Sequence, residues 1–120
     1  INLTAEETRA DAFFIPSGGI TGTLGVAQFV YRARGGEKVK RLTATRSVND
    51  TSDNTIKVLK TTKARASAAD LSPPVSVYIT GPGTEADGTF STELADGDCL
   101  VVQASIDVAY RHDVTLEIEG

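Results

Sequence analysis

An all-β fold of two antiparallel sheets packed face to face is predicted by three features of the 120-residue sequence. Apolar residues recur with a period of two in short runs, the signature of strands with one buried face. Clusters of Gly, Pro, Asn and Asp separate those runs, and 11 glycines and four prolines supply turns between short elements. No stretch carries the longer periodicity of an amphipathic helix. Strands that each need a partner and one buried face are satisfied by a sandwich.

The most hydrophobic stretch, residues 89–107, organises the rest. Phe90, Thr92 and Leu94 alternate with Ser91 and Glu93. Asp96-Gly97-Asp98 breaks the pattern, because glycine accepts the positive φ of a tight turn. Residues 99–106 are apolar on both faces, Leu100, Val102, Ala104 and Ile106 on one and Cys99 and Val101 on the other. A strand covered on both faces belongs in the middle of its sheet. The expectation is a hairpin around which the other strands are arranged.

Residues 1–11 read as an N-terminal arm ahead of a single domain over 12–120. Thr4-Ala5-Glu6-Glu7 fits a capping box, but apolar content is low, so the arm is either one helical turn or an extended segment, mobile in the free protein. Residues 12–15 form a short strand stopped by Pro16. Residues 20–34 form a long strand with bends at Gly22 and Gly25. Ala27, Phe29, Tyr31 and Ala33 share one face, and Val26, Gln28, Val30 and Arg32 share the other. After Gly35-Gly36, residues 38–45 mix β-branched and basic residues, as on an edge strand. Residues 47–54 are a loop, and 55–62 a strand with Ile56 and Val58 inward. Residues 63–71 have no strand signature and end at Pro73-Pro74. Val75-Ser76-Val77-Tyr78-Ile79-Thr80 alternates cleanly, and residues 81–88 read as a polar loop. Val114, Leu116 and Ile118 close the chain in a final strand. About eight strands of this kind favour a jelly roll over an immunoglobulin-like sandwich, whose Cys…Trp…Cys layout is missing. The expected core includes Phe29, Val77, Leu100, Val102, Leu116 and Ile118.

A chain of this length supports one core. No run of 18 apolar residues predicts a membrane-spanning helix. The lone Cys99 sits in an apolar strand and reads as a small buried hydrophobe. The net charge of −4 is unevenly spread. Residues 32–65 hold ten Lys and Arg against three acids, and residues 66–120 hold one base against ten acids. Such segregation marks solvated faces, or complementary surfaces that close a head-to-tail ring. In that ring Val26, Val30, Cys99 and Val101 would form the dry centre.

Catalytic and metal chemistry finds little support. Asp96 and Asp98, with Asp50 and Asp53 as extra ligands, suggest calcium, but two acids around a glycine more often make only a turn. His112 beside Asp113 resembles an oriented imidazole with Ser91 or Ser105 as nucleophile, yet no nucleophile elbow accompanies them. One His and one Cys are too few for zinc, and the glycines fit no phosphate-binding pattern. Asn2-Leu3-Thr4 and Asn49-Asp50-Thr51 match a glycosylation triplet that is common by chance. Arg32, Arg34, Lys38, Lys40 and Arg41 lack the interleaved aromatics of a single-strand groove. Carbohydrate binding needs exposed aromatics, and the chain offers Tyr31, Tyr78 and Tyr110 but no Trp. Neither nucleic acid nor a membrane is expected as a partner, no cofactor is expected, and no enzyme is expected.

The run Gly88-Thr89-Phe90 … Leu94-Ala95-Asp96-Gly97-Asp98-Cys99-Leu100-Val101-Val102, followed by Asp113-Val114-Thr115-Leu116-Glu117-Ile118, resembles small β-sandwich modules of tailed-phage virion proteins. Phe13-Phe14-Ile15-Pro16, Lys40-Arg41-Leu42-Thr43-Ala44 and Asn54-Thr55-Ile56-Lys57-Val58-Leu59-Lys60 resemble their earlier strands, while residues 63–74 and 81–88 depart from the pattern. The resemblance implies a structural module, generally trimeric: a capsid decoration (cement) protein on the virion exterior, bound to the major capsid protein. The alternative it implies is a receptor- or carbohydrate-binding head of a tail fibre or baseplate. The arm residues Asn2, Leu3 and Thr4, the outer-face Val26 and Val30, and the basic Arg32, Arg34, Lys38 and Lys40 are the expected contacts with sister subunits or shell.

Overall fold

The computed structural model describes residues 2–7, 13–14, 30–46, 53–62, 67–105 and 110–120. Among them run β1 (Asn2–Glu7), β2 (Phe13–Phe14), β3 (Tyr31–Arg32), β4 (Lys38–Arg46), β5 (Asn54–Thr61), β6 (Ala68–Ile79), β7 (Glu85–Glu93), β8 (Cys99–Ser105) and β9 (Tyr110–Glu119), with no helix. One sheet has the order β1-β9-β4-β7, and the other β2-β8-β5-β6. The short β3 lies on the same side of β8 as β2, so the two form a broken edge. Every pairing is antiparallel. β1 pairs with β9, β2 and β3 with β8, β4 with β7, and β5 with β6. This nesting, with the first half of the chain folded back along the second, is the jelly-roll arrangement.

The alternation read from the sequence fills the space between the sheets. Val39, Leu42, Ala44, Val114 and Leu116 from one sheet meet Ile56, Val58, Val75, Val77, Ile79, Leu100, Val102 and Ala104 from the other. Ile118 is half-buried against this core, and Phe29 lies outside the described residues. Strand β8 is covered on both faces, as expected. Cys99 and Val101 are each 1% exposed, beside Leu59 on the face of β8 and β5 turned away from the core.

Several elements differ from expectation, each for a physical reason. Asp96-Gly97-Asp98 turns the chain with Gly97 at φ +87°, but it is no hairpin: β7 pairs with β4 and β8 with β5, so the turn carries the chain between sheets. Strand β4 is interior rather than an edge, because acidic strands flank its basic residues. Strand β6 begins at Ala68 and runs through Pro73-Pro74. Its pairing jumps from Val75 opposite Val58 to Asp70 opposite Leu59, so the prolines fall in a bulge on an edge strand, where a missing N–H is tolerated. Strand β7 begins at Glu85, inside the expected loop. Gly88 fits there because a Cβ would lie 2.9 Å from the Phe90 ring and 3.1 Å from Val77. The expected arm contributes β1, whose six residues pair with Tyr110–Thr115 of β9.

The edges β6 and β7 close one side of the sandwich, where the Thr92 hydroxyl donates to the Pro73 carbonyl at 2.9 Å. The edges β1 and β2/β3 lie on the other side.

Two outcomes test this packing. Leu100→Ala removes a fully buried side chain from near the start of β8 and is expected to cost about 2–5 kcal/mol in urea unfolding; a cost near zero would contradict its burial. Removing residues 1–7 strips one of the two partner strands from β9 and is expected to lower the melting temperature by roughly 4 °C or more. An unchanged melting temperature would make β1 dispensable to the fold.

Candidate functional site

The outer face of the sheet containing β4 is a row of charged strands. Along β7 the exposed residues are Glu85, Asp87, Thr89, Ser91 and Glu93, and along β9 they are Asp113, Thr115, Glu117 and Glu119. Between them β4 turns out Lys38, Lys40, Arg41, Thr43 and Thr45. Lys38 lies opposite Glu93 on one side and Glu119 on the other, and Arg41 lies opposite Glu117. The pairing shifts register at Lys40, whose Nζ is 4.0 Å from Glu119. Arg41 grips Asp87 in a two-pronged contact, Nε to Oδ1 at 2.8 Å and Nη2 to Oδ2 at 2.6 Å, and the Thr43 hydroxyl adds 2.9 Å to Oδ1. These hydrogen bonds from Arg41 and Thr43 hold the Asp87 carboxyl below its usual range, and the carboxylate raises Arg41. Two shallow depressions flank β4, one of about 450 Å³ beside Lys40 and Ile118, the other of about 420 Å³ beside Arg41 and Asp87.

The corner at 33–37 adjoins the turn at 94–98. The Ala33 amide donates to the Asp98 carbonyl at 2.7 Å, the Gly97 amide to the Ala33 carbonyl at 2.9 Å, and the Leu94 amide to the Glu37 carbonyl at 2.9 Å. Gly36, at φ +90°, makes the first corner. The Glu37 carboxylate accepts from the Tyr31 hydroxyl and the Arg34 amide, which lowers its pKa and raises that of Tyr31. At the far end the buried Arg46 donates to Asn54 Oδ1 at 2.6 Å and to the Gly83 carbonyl at 2.9 Å.

The expected contact residues fall mostly around the open side. Asn2, Leu3 and Thr4 are on the edge strand β1, and Arg32 and Arg34 are exposed on β3 and the corner after it. Lys38 and Lys40 sit two strands in, among acids. Val30 is half-buried against the core, its amide bonded to the Leu100 carbonyl at 2.8 Å, and Val26 lies outside the described residues.

The structure corrects the charge-driven ring. The β4 part of the basic segment (Lys38, Lys40, Arg41 and Arg46) shares a sheet with the acidic strands β7 and β9, whereas Arg32, Lys57 and Lys60 stand on the other sheet, so β4 is neutralised inside the subunit. Cys99 and Val101 are buried within the chain and offer no dry centre for an interface. The calcium and triad constellations are also separated. Asp98 spends its carboxylate on the Ala95 amide at 3.1 Å. Asp53 binds the Gly81 amide at 3.0 Å beyond the start of β5, while Thr61 at the strand's other end pairs with Cys99, roughly 24 Å along the strand; Asp50 lies outside the described residues. On β9, His112 is placed opposite Arg46, whereas Ser91 lies beside the Val39–Arg41 end of β4, roughly 17 Å away along the strands. Ser105 belongs to the other sheet.

No family model and no curated protein matches the chain. Among solved structures it is similar to the globular domain of zebrafish complement 1qA protein (11% identity, TM-score 0.49, 94% of this chain and 91% of that one). It is also similar to murine APRIL (11%, 0.43, 95% and 97%) and to the SPBc2 prophage-derived protein YomS (12%, 0.33, 98% and 96%). At these levels the likeness assigns no activity.

Asp87 provides a pH test of the charged face. Its folded pKa is lowered, so the stabilisation is present above the unfolded carboxylate value and is lost as pH falls through the folded one. Asp87→Asn is therefore expected to melt below the wild type at pH 7, by a margin that shrinks as pH falls below the ordinary carboxylate range and vanishes once the folded carboxyl is itself protonated. A margin independent of pH would show that the Asp87 charge is not what stabilises.

Proposed function

We propose that this chain is a non-enzymatic virion structural module: a capsid decoration protein that sits on the outside of a phage head, binds its major capsid protein and acts as a homotrimer. The observation that carries the reading is the corner at residues 94–102. The run that resembles phage sandwich modules forms the sheet crossing of a jelly roll, and the Asp98 carboxylate is spent on that turn. The polar residues singled out for catalysis or metal binding serve turns or lie far apart, which favours a structural role over a catalytic one.

The contact surface in this reading is the open side. β1 uses one edge of its backbone on β9, and along its other edge it has no partner strand among the described residues. An extended segment of shell protein, or of a sister subunit, adds to such an edge through main-chain hydrogen bonds. Arg32 on the β3 edge of the other sheet and Arg34 on the corner after it are exposed cations, and rim charges act mainly on association rate and specificity. With β4 neutralised within the subunit, trimer formation does not depend on opposed basic and acidic segments.

Sedimentation equilibrium at micromolar concentration is expected to give a trimer in both low and high salt. The intact protein is expected to pellet with purified heads of the phage that encodes it. Arg32→Glu combined with Arg34→Glu is expected to weaken that binding at least about tenfold with the melting temperature unchanged. Failure of the wild type to bind heads would overturn the decoration reading, and unaltered binding by the double variant would overturn this contact surface.

A further inference from the structure

The outer face of the second sheet carries a feature that shell binding does not use. Val75, Val77 and Ile79 of β6 point into the core, so Ser76 and Tyr78 point outward. Tyr78 is 64% exposed, the one exposed large hydrophobic side chain among the described residues. On the neighbouring β5, Thr55 pairs with Tyr78 and Lys57 with Ser76, so all four share a face. Beside them the bulge of β6 brings Pro74 and Asp70 to the rim of a shallow groove of about 240 Å³.

We propose that this groove binds a neutral pyranose sugar, with Tyr78 as the stacking platform. A pyranose has an apolar C–H face and a rim of hydroxyls. The tyrosine ring matches the first and is itself amphipathic; Thr55, Ser76, Lys57 and Asp70 match the second with both donors and acceptors. Lys57 and Asp70 have opposite charges that cancel, so the groove selects neither an anion nor a cation. No ion pair or side-chain hydrogen bond among the described residues engages either of them. A protein hot spot would surround its aromatic anchor with contacts that exclude water, whereas Tyr78 has wet, polar neighbours. The volume lies below the roughly 300–1,000 Å³ of drug-sized pockets, which suits one ring. All the lining residues stand on paired strands or the bulge between them, so the site is held open before the sugar arrives.

The test is an amide chemical-shift titration of the full chain with glucose, galactose and N-acetylglucosamine, each to about 50 mM, because a shallow one-ring site is expected to bind in the millimolar range. Saturable shifts centred on Thr55, Lys57, Ser76 and Tyr78 are expected with at least one of them. Tyr78→Ala is expected to weaken that binding at least tenfold, and Tyr78→Phe, which keeps the ring, to stay within about threefold. Asp70→Asn and Lys57→Met are each expected to weaken it without changing the melting temperature. Absence of shifts with all three sugars, shifts centred elsewhere, or full binding by Tyr78→Ala would overturn the site. So would an oligomer that Tyr78→Ala dissolves, since the ring would then serve contact between copies. Head binding is read separately, and its failure leaves this outcome untouched.

Discussion

The interlocked corners at residues 33–37 and 94–98 set how the two sheets meet. Each carries the chain across the sandwich at the same end, one from β3 to β4 and the other from β7 to β8. Three backbone hydrogen bonds join them, from Ala33 to Asp98, Gly97 to Ala33 and Leu94 to Glu37. Buried or half-buried main-chain groups at such crossings need partners, and here each corner satisfies the other. Gly36 and Gly97 supply the positive φ that two tight turns in contact require. With the corners joined, β3 is delivered to the side of β8 and β4 to the side of β7. The nested pairing of the remaining strands follows from those two placements.

Placing β4 beside β7 determines the electrostatics. The basic residues of β4 and the acidic residues of β7 and β9, separate in the sequence, become adjacent rows of one sheet, and the attraction between them is spent inside the subunit. Cross-strand opposite-charge pairs of this sort favour one register over its neighbours, because a slip by one residue would turn each charge toward the core. The contacts are exposed, so their value lies in alignment more than in strength. The same neutralisation leaves Arg32 and Arg34 as the basic residues presented away from that face near the open side.

Much of this was legible in the sequence. Val75-Ser76-Val77-Tyr78-Ile79 and Val114-Thr115-Leu116-Glu117-Ile118 alternate without interruption, and period two alone places Tyr78 outward and Leu116 inward. The burial of Cys99 followed from apolar residues on both faces of its strand. What local pattern lacks is the identity of each strand's partner. Gly97 takes the same positive φ in a hairpin and in a sheet crossing, so the turn was right and the pairing wrong. The lysines of β4 looked like edge protection because the acids that neutralise them lie far along the chain; Asp87 is 46 residues from Arg41. Pro73-Pro74 read as a break because a proline in an interior strand would be one, and only the edge position of β6 makes the bulge tolerable.

The sandwich is therefore unequal in its two sides and two faces, and the inequality has consequences for what each can do. The side formed by β6 and β7 is closed by direct contact and by the Thr92–Pro73 hydrogen bond, so strand addition is blocked there. The opposite side ends in β1 and the broken β2/β3 edge. An edge in two short pieces is a poor template for aggregation, yet β1 beside it keeps a continuous row of six residues. The face over β4 is occupied by its own ion pairs, which a ligand would have to break. The face over β5 and β6 carries an aromatic ring and polar groups with no such commitments. Removal from water is least opposed where side chains do not already hold one another, which is why the proposed assembly is given to the open edge and the proposed recognition of a small ligand to the face around Tyr78.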